Sequence, residues 1–251
     1  MQLWLCPIFA FLLGSIPFGM LIARARGIDI RAHGSGNIGA TNVLRVVGKK
    51  FGIACFLLDV FKGLIPVILA VNLIQIEIEI EGKKVGLFHI GALDEFALML
   101  PAAKQFTGQF IHVLAALAAV LGHNYSPWVG FKGGKGIATS AGVLLALMPA
   151  GVILLAIVWT AAFAITRYVS LASIIAAASL PLITHFGARF HHLNNDKSLP
   201  TLWQAGTWNK PLFFFTVVIA VLAIWKHRSN IQRLREGTEH RFSRKPKPDH
   251  V

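Results

Sequence analysis

Acidic side chains are scarce: Asp and Glu number only 11 in 251 residues, and charges of both signs reach 14%, against about 25% in soluble domains. An ordinary water-soluble globule is thereby excluded. Cysteine is nearly absent, and both Cys6 and Cys55 fall inside apolar stretches, which supports neither a disulfide framework nor a metal cluster. No internal repeat or low-complexity run is evident.

What is abundant is apolar. Hydrophobic residues make up 55% and the mean hydropathy is +0.63, the composition of a polytopic membrane protein. A helix needs about 20 apolar residues to cross the hydrocarbon core. Seven runs qualify or come close, at about residues 3–23, 52–73, 110–122, 137–148, 151–165, 169–186 and 212–225. The fourth, of about 12 residues, is too short to span upright and is expected to be partly embedded or to sit in a thin local bilayer. No basic segment precedes the first run, so it is expected to stay as a membrane helix rather than be cleaved as a signal peptide. The expected fold class is all-α, with about seven transmembrane helices, one of them short, in a single domain over residues 1–251.

An odd number of spans puts the termini on opposite sides and assigns each loop a face. One face then receives 18 of the 24 Lys and Arg with five of the 11 acids, and the other six and six. The whole net charge of +13 sits on one side, which the positive-inside rule makes cytoplasmic, with the N-terminus outside and the C-terminus inside. Sidedness accounts for the basic balance, so nucleic acid is not expected as a partner. Two segments, about 74–109 and 187–210, fall on the outer face. The strict alternation of residues 76–80, with Gly82, Lys83 and Lys84 as turn material, predicts a short exposed hairpin strand. The basic tail, about 227–251, ends in a Pro-containing stretch after Arg241 that is expected to be disordered near anionic headgroups.

Three motifs on the basic face carry the chemistry. In AHGSGNIGATNVLRVVGKK, residues 32–50, Gly34, Gly36 and Gly39 let the backbone approach a ligand closely. Ser35, Asn37, Thr41 and Asn42 add neutral hydrogen bonds, and Arg45, four residues after Thr41, shares its side of a helix. An anion is the natural guest, although a Gly-rich turn capping a helix reads the same way. In GHNYSPWVGFKGGKGIATS, residues 122–140, Gly133, Gly134 and Gly136 can present N–H groups and Lys132 and Lys135 charge, ahead of a helix whose positive end begins near Ile137. A flexible basic turn between helices is the alternative. It is not a Walker A loop, because Gly136 rather than Ser or Thr follows Lys135. In KHRSNIQRLREGTEHRF, residues 226–242, His227, Asn230, Arg233 and Leu234 share one helical face. His227 is a candidate general base or phosphate donor, and Glu239 is expected to pair with a basic residue and fix the tail.

Asp59 and Lys62, at i and i+3 in the second run, are ionisable groups in a membrane segment and are expected to pair and to anchor the basic site. Ser170 and Ser173, beside Arg167, can complete the same pocket. No metal and no cofactor are expected, and no Ser-His-Asp arrangement can be identified. The residues alone therefore indicate a membrane protein that binds polyanionic small molecules at its cytoplasmic face. An organophosphate carrier or channel fits that description too, but it calls for midplane ligand groups and a repeat. A lipid-binding scaffold leaves the polar loops unexplained.

GSIPFGMLIAR at 14–24, GSGNIGATNVLRVVGKK at 34–50, LLDVFKG at 57–63, GHNYSPWVGFKGGKGIATS at 122–140, TRYVSLASI at 166–174 and HRSNIQRLREGTEHRF at 227–242 closely resemble, in order, the bacterial acyl-phosphate:glycerol-3-phosphate acyltransferases of the PlsY type. Only the two outer segments depart, as insertions. The resemblance implies transfer of a fatty acyl group from acyl phosphate to the 1-hydroxyl of sn-glycerol 3-phosphate, giving lysophosphatidic acid and phosphate, the first acylation of phospholipid synthesis. It implies Ser35, Arg45, Lys135, His227 and Asn230 as catalytic residues. Phosphate and substrate binding falls to Gly34, Gly36, Asn37, Thr41, Asn42, Lys132, Gly133, Gly134, Gly136 and Ser170, with Asp59, Lys62 and Glu239 structural. It also implies a multi-pass protein of the bacterial inner membrane, with membrane lipids around it and the soluble enzyme that makes acyl phosphate as a candidate partner.

Overall fold

The computed structural model describes residues 2–76, 88–192 and 210–242, and every one of the seven apolar runs is helical in it. The first run is broken at Ser15–Pro17 into α1 (Gln2–Gly14) and α2 (Phe18–Arg24), because Pro17 cannot continue the helical ladder. The short α3 (Ala40–Val46) leads into α4 (Lys49–Leu73). Then come α5 (Gln105–Asn124), α6 (Ile137–Leu147), α7 (Pro149–Thr166), α8 (Val169–His192), α9 (Lys210–Lys226) and α10 (Arg228–Arg235). Among the described residues, five spans are long and apolar enough to cross a membrane, or six if α9 and α10, bent by 53°, count as one. The remaining apolar helix is α6, whose 11 residues make it the short one.

A helix of that length holds its place by contact. Lipid supplies no hydrophobic drive between helices, so close backbone approach and dispersion must do it, and small residues make that possible. A Cβ on Gly63 of α4 would stand 2.4 Å from the carbonyl oxygen of Thr139, and one on Gly142 of α6 only 2.0 Å from that of Val60. The two helices thus touch backbone to backbone on both sides of their crossing. α1 and α5 meet in the same manner at Gly14 and Gly122. Around these crossings lies a core of Cys6, Ala10, Val67, Ala70, Ala115, Ala119 and Val143, and a second cluster under α2 and α3 centres on Met20, Val43 and Cys55. Both cysteines are buried.

At the opposite end from the three motifs, β1 (Ile74–Ile76) pairs in parallel with β2 (Leu98–Leu100). A parallel partner must return from a distant crossover rather than a tight turn. Residues 77–87, which hold most of the alternating run and its turn, lie outside the described residues, as do 193–209 of the second outer segment and the tail beyond 242. Asn72 secures the crossover to the end of α4: its Nδ2 donates to Phe88 O at 2.9 Å and its Oδ1 accepts from Ile90 N–H at 2.7 Å.

Gly142→Leu should push α6 off α4 and cost roughly 1–3 kcal/mol, the usual scale of overpacking. A thermal midpoint in detergent equal to that of the unaltered protein would contradict this packing.

Candidate active site

Hydrogen bonds draw the three motifs together at one end of the helices. Arg31, just ahead of the first motif, reaches the second, its guanidinium donating to Val129 O at 2.8 Å and Lys132 O at 3.0 Å. The first motif wraps around the side chain of Asn42, which is 1% exposed. Its Nδ2 donates to Ile30 O at 3.2 Å and His33 O at 3.1 Å, while its Oδ1 accepts from Ser35 N–H at 2.9 Å. Gly34 turns there at φ +60°, where a Cβ would lie 2.3 Å from Asn42 Oδ1. Ser35 is thus presented by a turn whose polar groups are already satisfied. One helical turn apart on α3, Thr41 and Arg45 face the same space, as their spacing predicts.

The third motif closes over the second. Asn230 is held in one orientation by its two neighbours: Oδ1 accepts from the Lys135 ammonium, and Nδ2 donates to Glu239 Oε1 at 2.6 Å. Glu239 also accepts from Ser170 Oγ at 2.7 Å and from Arg233 Nε at 2.8 Å. The expected pairing of Glu239 with a basic residue is therefore made, with Arg233. Burial opposes ionisation of its carboxyl, but these three hydrogen bonds outweigh that and hold it below the usual carboxylate range. The segment after Gly237 follows Glu239 back across the helix ends, where Phe242 N–H donates to Arg167 O at 3.0 Å and its ring packs edge-on against Phe163.

Between the motifs lies a cavity of about 640 Å3. Its polar end is lined by Ser35, Asn37, Thr41, Asn42, Arg45, Lys135, Gly136, Ser170, His227 and Asn230, together with Asp59 and Glu239. Arg45 has no ion-pair partner among the described residues, and partial burial lowers its pKa below the usual guanidinium range. Lys135 is driven further, to about 8, chiefly by burial and also by the repulsion of Arg233 and Arg45, against the pull of Glu239. The site thus holds more positive charge than it neutralises, which suits an anion. Nδ1 of His227 lies 2.7 Å from Ala223 O; in the tautomer that donates this bond, the lone pair is on Nε2.

Below the cations the wall becomes apolar, through Leu144 of α6, Val152 and Leu155 of α7, Leu180 of α8 and Ile219 of α9. Ile53 and Phe56 of α4 line it too, although 47% and 46% exposed on the flank of the helix bundle. The cavity therefore opens sideways beside α4 as well as toward the motifs.

Not every expected residue is there. Gly34, Gly36, Lys132, Gly133, Gly134 and Lys62 stand outside the lining. The phosphate cradle expected of Gly133 and Gly134 is corrected by their amides, which are already spent on Asn124 O at 3.2 Å and His123 O at 3.1 Å. Gly136 remains at the cavity, in the left-handed region at φ +81° just before α6. Asp59 and Lys62 pair as expected, at 2.7 Å, and Lys62 Nζ also donates to Ile16 O at 2.8 Å, where the first span breaks. Sequence reasoning passed over His123, His240 and Trp159, which line the cavity; the signal available was that His123 and His240 fall within the second and third motifs. Among the described residues no cluster of His, Cys, Asp and Glu is placed to hold a metal ion.

A family model described as glycerol-3-phosphate acyltransferase matches residues 4–237. The chain belongs to this family. A glycerol-3-phosphate acyltransferase of Geobacter sulfurreducens is 44% identical over 234 residues, which cover 93% of this chain and 94% of that relative. Among solved structures, the chain is similar to crystal structures of PlsY, an integral membrane glycerol 3-phosphate acyltransferase. In its glycerol 3-phosphate form the TM-score is 0.71 at 38% identity, and in its lysophosphatidic acid form 0.69 at 37%, each over 97% of this chain and 96% of the other. The resemblance seen in the motifs is thus supported over nearly the whole length, and the chain is a membrane-embedded acyltransferase.

Because the folded protein favours ionised Glu239, its stabilising effect is present above the ordinary carboxylate value of 4.5 and lost as pH falls through the lower folded value. Glu239→Gln should cost about 1.5–3 kcal/mol near neutrality, the scale of a hydrogen bond to a charged group. Thermal midpoints followed into acid should converge for the two proteins; curves that stay parallel would argue against the latch.

Proposed function

We propose that the protein transfers a fatty acyl group from acyl phosphate to the 1-hydroxyl of sn-glycerol 3-phosphate, at the cytoplasmic face of the bacterial inner membrane. The observation that carries this reading is one cavity with surplus cations at one end and an apolar wall at the other. Both substrates bear phosphate and one bears an aliphatic chain. The net positive charge of the loops at the motif end supports the cytoplasmic placement.

Acyl phosphate is a mixed anhydride and already activated, so alignment and charge stabilisation suffice. The glycerol hydroxyl oxygen bonds to the acyl carbon, the bond from that carbon to the phosphate oxygen breaks, and the electron pair leaves with phosphate. The hydroxyl proton passes to His227 Nε2 or to a substrate phosphate. Arg45 and Lys135 neutralise phosphate, while Ser35 and Asn230 orient phosphate or hydroxyl. No covalent serine is required. A carrier for organophosphates is not favoured, because the polar groups gather at one end of the bundle rather than at its middle.

Purified protein in detergent, given radiolabelled glycerol 3-phosphate with palmitoyl phosphate or palmitoyl-coenzyme A, should form lysophosphatidic acid from the acyl phosphate alone, and Lys135→Ala should reduce it to a small residual rate. Product from the thioester instead would reassign the donor, and no product from either would remove the reading. Since Lys135 is charged below about 8, the KM for glycerol 3-phosphate should rise as pH climbs through that value. A KM flat across it would take Lys135 out of phosphate binding.

A further inference from the structure

His123 closes α5 with its side chain 6% exposed, and it is gripped on two sides. On one side its Nδ1 lies 3.7 Å from Asp59 Oδ1. That carboxylate is fixed by Lys62, which in turn holds Ile16 O at the break between α1 and α2. On the other side the ring edge meets the second motif: a Cβ on Gly134 would lie 2.1 Å from His123 Nε2, so only a bare α-carbon fits against it. The backbone repeats the contact, since Gly134 N–H donates to His123 O and Gly133 N–H to Asn124 O. Lys226 Nζ donates to the same Asn124 carbonyl at 2.8 Å, one residue before His227. The next residue after Gly134 is Lys135, whose ammonium meets Asn230.

From this we infer that His123, braced by the buried Asp59–Lys62 pair, is a positioning residue for acyl transfer, setting the turn at 133–136 and through it the ammonium of Lys135. The chain of contact runs from the broken first span to the phosphate-binding lysine without passing through solvent. His123 is not placed to act as the base, because Gly134 covers Nε2 and Nδ1 faces Asp59. Its effect is geometric, and misplacement by about 1 Å costs an enzyme on the order of a hundredfold.

The inference rests on the acyltransferase reading, and a double-mutant cycle tests it. His123→Ala should lower kcat/KM for glycerol 3-phosphate by about tenfold or more. If His123 acts through Lys135, adding His123→Ala to Lys135→Ala should change the residual rate by less than about twofold. Losses that multiply instead would overturn the inference. A second readout avoids catalysis altogether: the pH dependence with which Lys135 is acetylated by acetic anhydride, followed by mass spectrometry on monodisperse protein. Release of the turn should move its midpoint up from about 8 toward 10.5. Where His123→Ala does not fold, His123→Asn and Asp59→Asn take its place. A folded variant with unchanged kinetics and unchanged labelling would overturn the assignment. Absence of product from the unaltered enzyme, with labelling that still responds to the variants, would count against the acyltransferase reading and leave the brace intact.

Discussion

One carboxylate orders the functional end of this protein. Glu239 receives Ser170 of α8 and both Asn230 and Arg233 of α10, so three groups from two helices are fixed by a single acid. Without it, Asn230 has no reason to turn its oxygen toward Lys135. The scarcity of acids in the sequence acquires a physical sense here: a second carboxylate among Arg45, Lys135 and Arg233 would satisfy the cations internally and leave less field for a phosphate. Asp59, the other acid lining the cavity, is already paired with Lys62. The site stays cationic because its two carboxylates are committed to holding its parts in place.

The membrane imposes a complementary constraint. Helices cannot be pressed together by water from the lipid side, so crossing points rely on residues that lack side chains. Gly63 and Gly142 give α6 its seat on α4, and α6 carries Lys135 and Gly136 at its head. A short helix is suited to this task. Its N-terminus can sit at the depth of the cavity rather than at a membrane surface, which brings backbone amides and a lysine close to an apolar chamber.

The helices were legible because hydropathy is a sum over many residues and tolerates error in any one. The side of α3 that bears Thr41 and Arg45, the Asp59–Lys62 pair and the pairing of Glu239 were legible because each follows from helical spacing or from the cost of an unpaired charge. The spent amides of Gly133 and Gly134 were not, since a glycine-rich string does not say which carbonyl has taken its N–H groups. His123 escaped for a related reason: a lone histidine carries meaning only from its neighbours, and Asp59 lies 64 positions earlier in the chain. The parallel partner of β1 comes from beyond a long connection, where alternation along one strand is silent.

The side opening beside Ile53 and Phe56 fixes the dimension in which a ligand is counted. A molecule whose aliphatic part enters through a flank bathed in lipid meets the protein as a two-dimensional solute, and its effective concentration is a number per area of bilayer. Glycerol 3-phosphate, by contrast, is measured per volume of water. Diluting the membrane with inert lipid would starve one route and leave the other untouched, so turnover in a cell would follow the composition of the sheet around the protein as much as the contents of the water beside it.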